Sequence, residues 1–95
     1  MATTFGWVHL TLNVAQAMNL KDKRRILKSF KDRLRNKFNV SVAEVGALES
    51  CRRAELAVAM VANDVQFVQS CLQKVVHLAE RHRDMILMEQ HMECM

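Results

Sequence analysis

Apolar and polar positions alternate near the start of the chain: Val8, Leu10, Leu12 and Val14 fall on one side, and Phe5, Trp7, His9, Thr11 and Asn13 on the other. A period of two is that of a half-buried strand, so Phe5 to Val14 is expected to form one. The period changes after Asn19. From about Leu20 to Phe38, the apolar residues Ile26, Leu27, Phe30 and Leu34 recur at helical spacing with Phe38 near the same sector. Lys21, Arg24, Lys28, Lys31 and Arg35 collect on the opposite face, which makes the helix amphipathic. Asn19 can cap it by accepting from an orphan amide, and Asp22 three residues on can return a capping-box contact. Asn36, Lys37 and Asn39 suit the other end, where cations oppose the dipole and an asparagine tolerates a left-handed turn.

Val40 to Val45 is β-rich and leads into a turn containing Gly46, while Ala54 to Ala62, introduced by Arg52 and Arg53, is a second apolar strand of small residues. The two are expected to pair as a hairpin. Asn63 or Asp64 can cap a second helix reaching about His82, with Val68, Cys71, Leu72, Val75 and Ala79 as its apolar stripe. Met85 to Met92 closes as a last strand. The order βαββαβ specifies an α+β, ferredoxin-like fold, a four-stranded antiparallel sheet with two helices on one face. Its other face starts open, with Phe5, Trp7 and His9 beside Ala57, Ala59 and Val61. Ninety-five residues without a proline-, glycine- or serine-rich stretch leave room for one domain, 1–95, and no linker.

Charge is distributed unevenly along this pattern. Between Lys21 and Lys37 stand nine of the fourteen basic residues against two acids, Asp22 and Asp32, a local charge of +7 in a chain of net charge +4. The remainder is therefore slightly acidic, and the positive field belongs to the first helix. Such a field attracts polyanions. The simplest account of a basic helix face is solvated surface, but a solvated helix ordinarily interleaves acids at i,i+4 spacing, and this stripe repels itself.

Chemistry that would mark an enzyme is missing from the pattern. The carboxylates are scattered with no pair that spacing brings together for acid–base work. Two glycines, Gly6 and Gly46, cannot build a phosphate-cradling loop. His9, His77, His82 and His91 form no metal-binding spacing, His91 with Cys94 being the nearest approach, and three cysteines suit neither a disulfide framework nor a zinc knuckle. Cys51, beside Arg52 and Arg53, has no histidine partner in sight and reads as incidental. No catalytic residue, metal, cofactor or small-molecule substrate is expected. An RNA-recognition motif, which shares the topology, needs aromatic residues on its third strand, where this chain has Ala54, Leu56, Ala57, Val58 and Ala59. No basic leader precedes Phe5 and no apolar run approaches about 18 residues, so the chain is expected to be soluble and cytoplasmic, without membrane contact.

The stretch Asn19 to Arg25, followed by Arg33 to Val45, closely resembles the YlxP-like bacterial family, one of the domain-of-unknown-function families. Arg53-Ala54, Leu56 to Ala59, Asn63-Asp64 and Leu72 to Val75 keep the same register, so the resemblance covers nearly the whole chain. It implies a ferredoxin-like fold and a small cytoplasmic protein often encoded near genes for translation initiation and ribosome maturation. It brings no catalytic residues. The chain departs from the family pattern at Cys51, where an aromatic is common, and near Asn13 to Ala15, where a proline is usual. Two functions follow as expectations. One is a non-enzymatic RNA- or ribosome-associated module that grips phosphates with Lys21, Arg24, Lys28, Lys31 and Arg35. The other is a homo-oligomeric or regulatory protein-interaction module using Phe5, Trp7 and His9 on the open sheet face, with a homodimer as the simplest form.

Overall fold

The computed structural model describes residues 2–95. Its elements run β1 (Thr4–Asn13), α1 (Leu20–Lys37), β2 (Ser41–Gly46), β3 (Arg53–Ala62), α2 (Val65–Arg81) and β4 (Ile86–Cys94). Each lies within one or two residues of the span its hydrophobic period predicts. The strands form one sheet in the order β2-β3-β1-β4, and every neighbouring pair is antiparallel. The architecture is the ferredoxin-like one.

The core is the side of the sheet that the alternation singles out. Val8 lies opposite Val58, Leu10 opposite Leu56 and Leu12 opposite Ala54, and all six are fully buried. Helix α1 lays Ile26, Leu27, Phe30 and Leu34 on this layer, and α2 adds Val68, Cys71, Leu72, Val75, Val76 and Ala79. Helix α2 rests on β1 and its two neighbours, and α1 on β2. Close approach of α2 requires Gly6, because a Cβ there would come within 2.5 Å of Val68 Cγ1 and 2.9 Å of Cys94 Sγ. At the end of α2, the half-buried His82 meets the buried Phe30 ring edge-on, with centroids 5.6 Å apart.

Three local expectations need correction. The Asn19 side chain caps α1 by accepting from the Asp22 amide at 2.9 Å, but the Asp22 carboxylate accepts from Met18, at 3.1 Å, and not from the cap residue. The contact falls one residue early, on the amide of Met18 in place of that of Asn19. At the other end no left-handed residue is used: Phe38 is extended (φ −135°) and donates its amide to Leu34 O at 2.9 Å, and the chain passes straight toward β2. Gly46 is likewise not the turn residue. It ends β2 after a bulge against β3, and the left-handed position is Ala47 (φ 56°), which opens the loop over residues 47–52. An alanine there is strained, and its carbonyl is held by a contact described below.

Truncation of Phe30 to Ala is expected to destabilise the protein by about 3–5 kcal/mol, as for a large ring removed from a core. Urea or thermal unfolding measures this, with Lys28→Ala as the surface reference. A loss for Phe30→Ala no larger than that of Lys28→Ala would show that the helix is seated on another face.

Candidate nucleic-acid interface

What positions the basic helix is a lysine on its apolar side. Successive helix residues turn by about 100°, which puts Lys23 in the same sector as Phe30 and Leu34 and not among the exposed cations. Its side chain is 1% exposed. The three ammonium protons go to three carbonyls: Nζ donates to Ala47 O at 2.9 Å, Ser50 O at 2.6 Å and Arg53 O at 3.0 Å. Glu44 Oε2 stands 2.9 Å from the same nitrogen, at an angle outside hydrogen-bond geometry. The carboxylate thus balances the charge while the loop carbonyls take the hydrogen bonds. Desolvating an ammonium costs several kcal/mol, offset only when its donors and charge are matched in this way. The first turn of α1 is thereby tied to the loop between β2 and β3 and to the last residues of β2.

With α1 held, its outer surface is fixed. Lys21, Arg24, Lys28 and Arg35 are exposed and Lys31 is half-buried, and the structure brings the five together along the solvent side of the helix. They are not equally free. Lys28 donates to Asp32 Oδ2 at 2.9 Å, and Arg35 Nη1 lies 3.7 Å from Asp32 Oδ1. The hydrogen bond from Lys28 holds the Asp32 carboxyl below the usual carboxylate range, with help from the Arg35 and Lys31 charges. Arg35 also donates through Nη2 to Val42 O at 3.0 Å, reaching over edge strand β2. Lys21, Arg24 and Lys31 form no ion pair among the described residues. The opposite flank of α1 carries Arg33 and Lys37, which turn toward α2. His82 closes that side: its Nδ1 accepts from the Asp84 amide at 3.1 Å, which leaves the proton on Nε2. Burial, aided by the neighbouring Arg33 and Arg83 charges and opposed by Asp84, holds its pKa below the ordinary histidine range.

The open sheet face lies on the other side of the molecule. Phe5 stands opposite Val61, Trp7 between Ala59 and Glu93, and His9 between Ala57 and His91. Phe5 and Val61 are exposed, whereas Trp7 is half-buried with its ring 5.4 Å from that of His91. His9 Nε2 is 3.4 Å from Glu55 Oε1, and His91 Nε2 is 2.7 Å from Glu93 Oε2. The face is apolar at the Phe5 end and charged toward β4. It shares no residue with the basic surface, so the two candidate sites are separate.

Lys23 and Glu44 escaped the sequence reading, although a lysine in phase with an apolar stripe is a signal that could have found the pair. Arg33 and Lys37 escaped it because only the packing of α2 gives them neighbours. Among the described residues there is no group of three or more His, Cys, Asp or Glu side chains placed to hold a metal, Cys51, Cys71 and Cys94 are free thiols, and no helix is long and apolar enough to cross a membrane.

A family model described as "Protein of unknown function (DUF503)" matches residues 5–92. The chain is 32% identical over 71 residues to the uncharacterized protein YlxP of Bacillus subtilis (strain 168), which covers 75% of this chain and 77% of that protein. Among solved structures, the de novo designed protein Foldit4 superposes with a TM-score of 0.56 over 98% of this chain and 96% of its own, at 10% identity. That last likeness speaks to the fold alone.

Replacing Lys23 by Met keeps most of the stem but removes the ammonium, leaving three loop carbonyls and the Glu44 carboxylate without their cation. A loss of about 3–5 kcal/mol is expected, as for other broken buried pairs, while Glu44→Gln should cost less because the carbonyl bonds survive. Urea titration of the two variants makes the comparison. A Lys23→Met loss under about 1 kcal/mol, the size of an exposed pair, would mean that water replaces the ammonium at little cost.

Proposed function

We propose a function on one firm premise, that the chain belongs to the DUF503 family, whose description names no activity. The reading is a non-enzymatic module of the cytoplasm that binds structured RNA through the basic face of α1. The ribosomal particle is the setting that the family resemblance implies. The observation that carries it is the set of unpaired cations, Lys21, Arg24 and Lys31, on a helix whose apolar side is fully occupied by the core. Because Ile26, Leu27, Phe30 and Leu34 are buried, α1 cannot turn an apolar face to a lipid surface. Phosphates are the ligand that such cations meet without reading sequence, so binding is expected to depend on structure and salt more than on bases.

Substituting Lys21, Arg24 and Lys31 together by Gln tests this. Glutamine is a good helix former, and the Asp32 pairs with Lys28 and Arg35 stay intact, so circular dichroism should be unchanged. Binding to structured ribosomal RNA should weaken, and its log–log salt slope should become shallower by about two to three units, one released counterion per lost phosphate contact. Equal binding by both proteins, or none by either in low salt, would remove the RNA reading.

A second reading is favoured by one observation, the exposed Phe5 and Val61 beside Trp7 on a face that no helix covers. It makes that face a contact between two copies of the chain. Trp7→Ala should then shift sedimentation toward monomer, and wild-type tryptophan emission should move to the red on dilution. A monomer at every concentration would eliminate it.

A further inference from the structure

Two rows of cations run along α1, on opposite flanks. The first, Lys21, Arg24, Lys28, Lys31 and Arg35, lies on the flank from which Arg35 reaches β2. The second belongs to the groove between the helices. There Arg33 and Lys37 of α1 face Lys74 and Arg81 of α2, and Arg83 follows at the groove's end. Lys74, His77, Leu78 and Arg81 line it at i, i+3, i+4 and i+7, so the groove wall is one regular face of α2.

All five cations of the second row are exposed. None forms an ion pair among the described residues, and Asp84 is the acid that lines the groove with them. Helix dipoles account for Lys37 and Arg81, which sit in last turns. They do not account for Arg33, Lys74 or Arg83. Like charges gathered without partners repel, and an anion brought between them relieves the repulsion.

We propose that α1 is a ridge laid against double-stranded RNA, its β2-side row on the phosphates of one strand and the inter-helix row on those of the other. The rows are separated by about one helix diameter, ~10–12 Å, and A-form RNA offers a wide, shallow minor groove with phosphates on both rims. A single strand would leave one row unmatched. It would also need a set of aromatic platforms for unpaired bases, whereas Phe38 is half-buried against the core and Phe67, exposed two turns before Lys74 on α2, is a single ring. Along the crest between the rows stand Arg25, Ser29, Asp32 and Asn36. A carboxylate there repels phosphate but accepts from a 2′-hydroxyl, which RNA displays in that groove and DNA lacks. The inference rests on the RNA reading above and adds the second row, the duplex and the choice of RNA over DNA.

The test uses the full chain with an RNA duplex of about 16 base pairs, a span that suits shape-based recognition, its single strand, and a DNA duplex of the same sequence. Anisotropy at several salt concentrations gives the affinities. Wild type should prefer duplex RNA to either competitor by about tenfold, and Arg33→Gln, Arg81→Gln and Arg83→Gln combined should abolish the preference over single strand and flatten the duplex slope by about two to three units. Lys37→Gln with Lys74→Gln, which leaves every arginine in place, should flatten it by about two and guards against a misfolded triple variant. If wild type binds RNA but either folded groove variant keeps the full slope and preference, or if single strand or DNA binds as tightly, the two-row ridge is overturned and the simpler RNA reading stands. If wild type binds none of the three in low salt, the RNA reading itself falls and takes the ridge with it.

Discussion

The arrangement of this protein depends on one buried ammonium. Lys23 spends all three donors on the carbonyls of Ala47, Ser50 and Arg53 and rests against Glu44. Those four residues belong to the end of β2, the loop after it and the start of β3. One side chain therefore joins the first turn of α1 to the β-hairpin it crosses. The strained Ala47 backbone is held where its carbonyl is useful, and the rotation of α1 about its own axis is set. An apolar residue at the same place could fill the space, but it would leave the loop carbonyls unbonded and the first turn of α1 untied from the hairpin.

That rotation decides which cations meet solvent. With Lys23 inward, the remaining bases of α1 other than Arg25 divide between a flank over β2 and a flank toward α2, and Arg25 and Asp32 sit between them, with Lys28 and Arg35 drawn to Asp32. The charge is thus neither a uniform stripe nor fully uncompensated. Its unpaired members lie at Lys21, Arg24 and Lys31 on one side and in the inter-helix groove on the other. The polar end of the sheet face, by contrast, pairs its histidines with carboxylates, so the two faces differ in electrostatic character as well as position.

Most of the fold was legible in the sequence because each element is amphipathic in its own period: alternation in β1, broken only at Thr11, which is buried on the outward side, and the i, i+3, i+4 stripes of α1 and α2 survive as burial. The neighbours of Phe5, Trp7 and His9 on β3 were also readable, since antiparallel order with matched strand lengths leaves little freedom of register. What was not legible was chemistry that arises between elements. The fate of Lys23 depends on a loop that lies 24 to 30 residues downstream, and the second cationic row exists only because α2 packs beside α1. The turn was misplaced for a related reason. Gly46 looks like a turn former, yet its φ is not positive and it closes β2 at the bulge, while Ala47 takes the left-handed position.

The hydrogen bond from Arg35 to Val42 O bears on assembly as well as on charge. Strand β2 is an outer strand, and an outer strand with free carbonyls is a template for pairing with another chain. A guanidinium seated on one of those carbonyls obstructs a visiting strand. At the far edge, β4 carries Glu89 and Glu93 and is bulged against β1 between Thr11 and Leu12, which are devices of the same kind. Sheet extension is thus discouraged at both margins, and copies of the chain crowded together would be steered away from edge-to-edge ribbons, the geometry from which fibrous aggregates grow.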